Sequence, residues 1–326
     1  MNRRGSRIGI TTTVPLEPFF ASGSVPVDLN NVFIANPEPA ILVEDAQVAG
    51  YPRNICTWIK GLYTASGSVD AVVGVIRGDC SNTESLLETL KVKGTMTHPF
   101  SFPSSKERKA LEEEIRTLCD FLGCSYYDAS KEFSKVVELR KLAWMVDSLL
   151  SEGKVRATDA HLALVSTSDF LSDPHTWEKA VREVIRASEG DHLPKEGPRL
   201  GYIGVPPIIT DLYDRIETMG GNTVFMEVQR QFSMPYPEED WIGAYLKYTY
   251  PYSIEDRLID IKREISRRKI EGIVHYVQSF CHRQIDDMIF RSELDVPILT
   301  VEGNIPGPMD ERTAIRLEAF IDVLNG

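Results

Sequence analysis

The chain has 326 residues, 42% of them hydrophobic and 26% charged, with a formal net charge of −12. That length is enough for two α/β domains with a large core. No stretch approaches the ~20 consecutive apolar residues that a membrane-spanning helix needs. The acidic balance leaves no basic surplus to neutralise phosphates, which argues against nucleic acid as the main partner. Lys262, Arg263, Arg267, Arg268 and Lys269 do form a local basic cluster, which reads as a solvated helix face.

The opening MNRRGSRIGI carries basic residues but no apolar h-region, so a cytoplasmic location is expected. Five cysteines are an odd number in a long chain of this kind. They speak against a disulfide framework and leave catalysis, metal binding or burial.

In chain order, RIGITTT (7–13) reads as a strand, Leu16 to Ala21 as a short helix and Val25 to Leu29 as a second strand. Residues 40–48 and 55–65 read as helices, with Cys56 at the start of the second. AVVGVI (71–76) is a continuous apolar run, as in a buried parallel strand. Cys80 follows in the turn RGDCSNT, and Thr83 to Leu90 continues as a helix. Residues 94–105, rich in Thr, Ser and Pro, are expected to be loop. Helices are expected over Ser105 to Leu122, with Ser105 as N-cap, and over 128–150, 157–168 and 174–188.

Residues 191–199 (DHLPKEGPR) have the composition of a linker and place a domain boundary there. The expected division is 1–195, an N-terminal α/β domain with a helical extension, and 196–326, a C-terminal α/β domain. The second half continues with strands at Leu200 to Val205 and Asn222 to Val228 around a helix over Ile209 to Met219. The polar stretch EVQRQFSMPYP (227–237) follows, and reads either as a site lining or as a solvated loop. Helices over 238–248 and 254–269 come next. Then Gly272 to Val277 reads as a strand, Gln284 to Leu294 as a helix, Val296 to Val301 as a strand and Asp310 to Leu324 as the last helix. Strands alternating with helices predict two Rossmann-like α/β domains with mostly parallel sheets and a helical connection between them.

Cys56, Cys80 and Cys281 all fall in turns or at helix starts. The Cys80 and Cys281 stretches share one arrangement: strand, cysteine, helix. The carboxyl edge of an open α/β sheet is where ligands bind, and a helix N-terminus favours a thiolate or an anionic cluster. Brought together, three thiolates suit a 4Fe–4S cluster or a zinc site, each with one open position. The other reading is a lone cysteine nucleophile with a histidine base, for which His282, His275 and His98 are available. Cys119 and Cys124 (TLCDFLGCSYY) read as small buried apolar residues. Arg230, with Glu227, Gln229 and Gln231 beside it, is a candidate for pairing with an anionic substrate group. There is no GxGxxG, P-loop, HExxH or GxSxG pattern.

ICTWIKG around Cys56, VVGVIRGDCSNT around Cys80, HYVQSFC and DVPILTVEGN around and after Cys281, and the final ERTAIRLEAFIDVL together resemble the 2-hydroxyacyl-CoA dehydratase / benzoyl-CoA reductase family. The likeness is to the type of its D-component. It implies a 4Fe–4S cluster held by Cys56, Cys80 and Cys281 between two Rossmann-like domains. It also implies single electrons from an ATP-dependent iron–sulfur activator, pairing with a homologous subunit, and reduction or dehydration of an acyl-CoA through a ketyl radical. Trp58, Lys60 and His282 would then stand near the cluster, with Arg230 and Gln231 as further substrate-binding candidates. The EVQRQFSMP segment resembles a less characterised branch of the family, and a related branch binds a double-cubane cluster and reduces small molecules. A non-catalytic electron-transfer subunit and a zinc or thiol enzyme are the other readings.

Overall fold

A computed structural model describes residues 3–189 and 196–326. The expected linker therefore lies mostly outside the described residues. Among those residues the strands form two four-stranded sheets, and every strand pair is parallel. The protein is thus an α/β protein whose sheets fit two Rossmann-like domains.

The first sheet contains β1 (Arg7–Ile10), β2 (Val25–Asp28), β3 (Ala71–Arg77) and β4 (Met96–Ser101), in the order β2-β1-β3-β4. The second contains β5 (Arg199–Ile203), β6 (Asn222–Met226), β7 (Gly272–Gln278) and β8 (Ile298–Gly303), in the order β6-β5-β7-β8. The two orders are the same. In each, the chain reverses direction across the sheet between the first and third strands. Connections leaving those two strands pass to opposite faces, and a crevice is left outside their carboxyl ends.

The chain divides into two compact units. One comprises residues 1–141, 166–178 and 234–253, and the other 142–165, 179–233 and 254–326. In the first, the apolar run of β3 packs with Leu29, Ile59, Leu62, Leu86 and Cys56. In the second, Ile203, Val224, Phe225, Ile261, Ile273 and Phe290 form the core. Burial of each such side chain contributes about 1.5–3 kcal/mol, which holds the helices against the sheet faces.

Three local expectations are corrected. Residues 96–101, expected as loop, form the edge strand β4. Pro99 is tolerated there because β4 pairs only with β3 and has no second neighbour to receive its missing N–H. The helix expected from Ser105 begins at Arg108, with Glu107 at the cap and no side-chain cap bond. Ser105 instead accepts from the Glu107 amide at 3.4 Å. The strand expected to reach Val228 ends at Met226, and Glu227–Phe232 is a short helix with every residue buried. Its polar side chains are buried because charged partners surround them. Arg230 pairs with Asp260 at 2.9 Å, and Gln231 donates to the same carboxylate oxygen at 2.9 Å.

The basic cluster is also more than a solvated face. Arg263 and Arg267 are exposed, but Arg268 is fully buried on the same helix, Ile254–Arg268. It reaches Asp147 at 2.5 Å and Glu264 at 2.7 Å.

Candidate functional site

The three cysteines occupy equivalent local settings. Cys56 is the N-cap of the helix Thr57–Ala65, and Cys281 is the N-cap of the 3-10 turn His282–Ile285, which runs on into the helix Asp286–Glu293. Cys80 lies just ahead of the helix Asn82–Val92. The Cys80 carbonyl accepts from the Thr83 amide at 3.0 Å and the Cys281 carbonyl from the Gln284 amide at 3.2 Å. Each backbone thus enters a helical turn at its cysteine, and each thiol stands at the electropositive end of a helical segment.

Cys56 and Cys80 belong to the first unit and Cys281 to the second. Cys56 is buried in the first core, and Cys80 packs against the same cluster. Neither unit alone holds all three cysteines. Among the described residues, no group of three or more His, Cys, Asp or Glu is arranged as a metal site.

Beside Cys56, Trp58 stacks edge-on against Phe33 at 5.4 Å. Its indole Nε1 is buried with no hydrogen-bond partner. Lys60 is also buried and donates from Nζ to the Arg53 carbonyl at 2.8 Å. Burial lowers its pKa, opposed by charge on Cys56.

Around Cys281 the second unit has a small cleft, lined by Gly204, Arg257, His275, Gln278, Cys281 and Arg283 among others. This is the crevice outside the carboxyl ends of β5 and β7, the position that the strand order marks for a ligand. Gly204 has φ +99°, and a Cβ there would run into the Tyr276 carbonyl oxygen, so glycine is required for the close approach of these two strand ends. The Gly204 amide donates to Glu227 at 3.0 Å.

Glu227 is held by Arg257, whose Nε and Nη2 donate to its two oxygens at 2.6 and 2.9 Å. Arg257 Nη1 reaches Asp286 at 2.6 Å. Burial alone would raise the Glu227 pKa, but the charge and hydrogen bonds of Arg257 outweigh it and hold the carboxylate ionised. His275 is hydrogen-bonded through Nδ1 to Asp287 at 2.7 Å, and Asp287 also accepts from Thr300 at 2.6 Å and Arg291 at 2.7 Å. Burial lowers the His275 pKa, and the Asp287 contact opposes it.

Gln278 is the residue that sequence reasoning missed. It is 1% exposed at the end of β7 and lines the cleft. Its Oε1 accepts from the Tyr276 hydroxyl at 2.7 Å, which fixes the amide. Its Nε2 is buried without a partner. A buried donor left unmade costs about 1–3 kcal/mol, so it marks a place where a ligand oxygen would be accepted. A glutamine at a strand end carries no sequence signal that would single it out.

Of the other candidates, His282 is exposed next to Cys281. Arg230 faces Asp260 at 2.9 Å, Asp147 at 3.5 Å and Glu264 at 3.6 Å, which accounts for its burial without a ligand. His98 lies on β4, stacked on Phe121 at 4.6 Å, with a pKa pushed down to about 4 by burial and by Arg3.

The family model of the 2-hydroxyglutaryl-CoA dehydratase D-component matches residues 11–324. The chain belongs to this family. As a D-component family member it is a component of the 2-hydroxyacyl-CoA dehydratase type. The match spans Cys56, Cys80, Cys281 and both sheets. No curated protein matches the chain. No helix among the described residues is long and apolar enough to cross a membrane.

Proposed function

We propose that this D-component family protein holds a 4Fe–4S cluster through Cys56, Cys80 and Cys281 and dehydrates or reduces a 2-hydroxyacyl-CoA or related acyl-CoA by a radical route. The observation that carries the reading is the shared setting of the three thiols, each at the start of a helical segment within the family match. The donor set suits the group. Thiolates are the usual ligands of iron–sulfur clusters, and helix N-termini favour their negative charge. When bound, the cluster supplies single low-potential electrons. An ATP-dependent iron–sulfur activator is the proposed donor of those electrons, and a homologous subunit is the proposed partner.

The chain's own residues do the rest. Gln278 Nε2 donates to a substrate oxygen in the cleft, positioned by Tyr276 on its other side. Arg257 stays fixed by Glu227 and Asp286 and so keeps the cleft wall rigid. Apolar packing buries Cys56 and flanks the partly exposed Cys80. Lys60 and Trp58 flank Cys56, where Trp58 Nε1 offers a second unfilled donor.

The test is anaerobic turnover of 2-hydroxyacyl-CoA substrates with an activator, ATP and a low-potential reductant. Activity lost in Cys281→Ala, and reduced about tenfold in Gln278→Leu with unchanged iron content, is the expected result. Full activity in both variants would contradict the assignment.

A further inference from the structure

The helix Arg108–Leu122 ends in a left-handed glycine, Gly123, at φ 81°. The Gly123 amide donates to the Cys119 carbonyl at 2.8 Å, and the Cys124 amide donates to the same oxygen at 3.0 Å. The bond from residue 124 back to residue 119 is the outer bond of a Schellman turn, and that turn brings the side chains of its two end residues into contact. Both of those residues are cysteines. Each thiol shifts the ionisation of the other. With a 3.0 Å bond joining the two backbones, the Cα atoms stand no farther apart than about 7 Å, the limit beyond which a disulfide cannot close.

The two thiols differ. Cys119 is 1% exposed, whereas Cys124 is half-buried, beside an exposed Gly123. Cys124 Sγ also donates to the Pro18 carbonyl at 3.4 Å. The contact with Cys119 lowers the pKa of Cys124, against burial and the charge of Asp128 and Asp120. The same contact, together with burial, raises that of Cys119. The accessible sulfur is therefore the one more readily ionised, and its buried neighbour keeps its proton.

We propose that Cys119 and Cys124 form a reversible dithiol–disulfide pair, separate from the three helix-start cysteines, with a hydroperoxide as oxidant. The Cys124 thiolate attacks one peroxide oxygen, the O–O bond breaks, and Cys124 becomes a sulfenic acid as hydroxide leaves and takes up a proton. The Cys119 sulfur then displaces the sulfenic hydroxyl, an S–S bond forms, and a second water leaves with the Cys119 proton. Two electrons pass from the thiol pair to the peroxide, and a dithiol reductant restores the pair.

The experiment treats the anaerobically purified full chain with a small excess of hydrogen peroxide, alkylates it under denaturing conditions and digests it with trypsin. Cleavage after Arg116 and Lys131 leaves both thiols on the peptide TLCDFLGCSYYDASK. The expected wild-type product is that peptide two hydrogens lighter and unalkylated, converted to the doubly alkylated form by prior dithiothreitol. In Cys119→Ser the same treatment is expected to leave Cys124 as a sulfenic acid trapped by a dimedone probe. Two alkylated cysteines in the treated wild type, or a disulfide from either one to another cysteine, would overturn the proposal. Loss of iron from the protein bears on the cluster and leaves this peptide readout intact.

Discussion

Cys80 and Cys281 occupy the same topological place. Each follows the third strand of a four-stranded parallel sheet with the same strand order, and each precedes a helical turn. Their surroundings differ. Cys80 packs on an apolar cluster with Leu86, Leu87 and Ile59, whereas Cys281 opens onto a cleft lined by Arg257, His275 and Gln278. The fold fixes where a ligand-bearing residue stands, and the local sequence decides what stands around it. The same contrast holds for buried acids. Asp28 and Asp169 of the first unit are pushed towards the neutral form by burial. Glu264 of the second is burdened by burial too, yet arginines draw it down to about 2.

The largest expected effect lies in that arginine network. Arg268→Ala removes from Asp147 and Glu264 a fully buried partner and is expected to destabilise the second unit by about 3–5 kcal/mol in denaturant unfolding. A loss below about 1 kcal/mol would show that the network is solvated, and the comparison would fail.

Next come the turns before the two cysteines, where the backbone is left-handed in both: Gly78 at φ 100° and Phe280 at φ 63°. At Gly78 a Cβ would lie 2.7 Å from Pro251 Cβ, so Gly78→Ala is expected to cost about 1–3 kcal/mol. Phe280 is half-exposed and already carries a side chain, so Phe280→Gly is expected to change stability by less than about 1 kcal/mol. Equal losses at both positions would erase the difference between the turns.

A further difference lies in pH dependence, where the two units should slope in opposite directions. Asp169 titrates at about 7 in the folded protein, raised by burial and by Asp28 from an ordinary value of 3.8. The folded state then holds a proton that the unfolded chain releases. Its contribution is fully present near pH 4 and falls as pH rises to about 7. For Glu264, moved from 4.5 to about 2, the contribution is present above about pH 4.5 and lost as pH falls towards 2. Thermal unfolding across pH 3–8 is expected to show a shallower fall towards neutrality in Asp169→Asn and a shallower acid fall in Glu264→Gln. Slopes parallel to wild type would refute the assignment of these groups.

Much of this was legible in the sequence where apolarity carries the signal. The runs at 71–76 and 272–277 announced buried strands because parallel strands covered on both faces need apolar residues throughout. Met96–Ser101 hid because an edge strand tolerates His98 and Pro99. Glu227–Phe232 hid because its burial is satisfied by charge pairing, as between Arg230 and Asp260, which hydrophobic periodicity does not see. The cysteines could be found by their position after strands. Gln278 could not, since its significance is an unfilled hydrogen bond that exists only in the folded protein.

The measurement that tests the central claim most directly is iron and sulfide content of anaerobically purified protein, with wild type beside Cys80→Ala and Cys281→Ala. The expected result is about four irons per chain in the wild type, lost in both variants alike despite their different surroundings. About eight irons would point to a double-cubane branch. No iron even after reconstitution, or iron retained in both variants, would contradict the shared role of these cysteines.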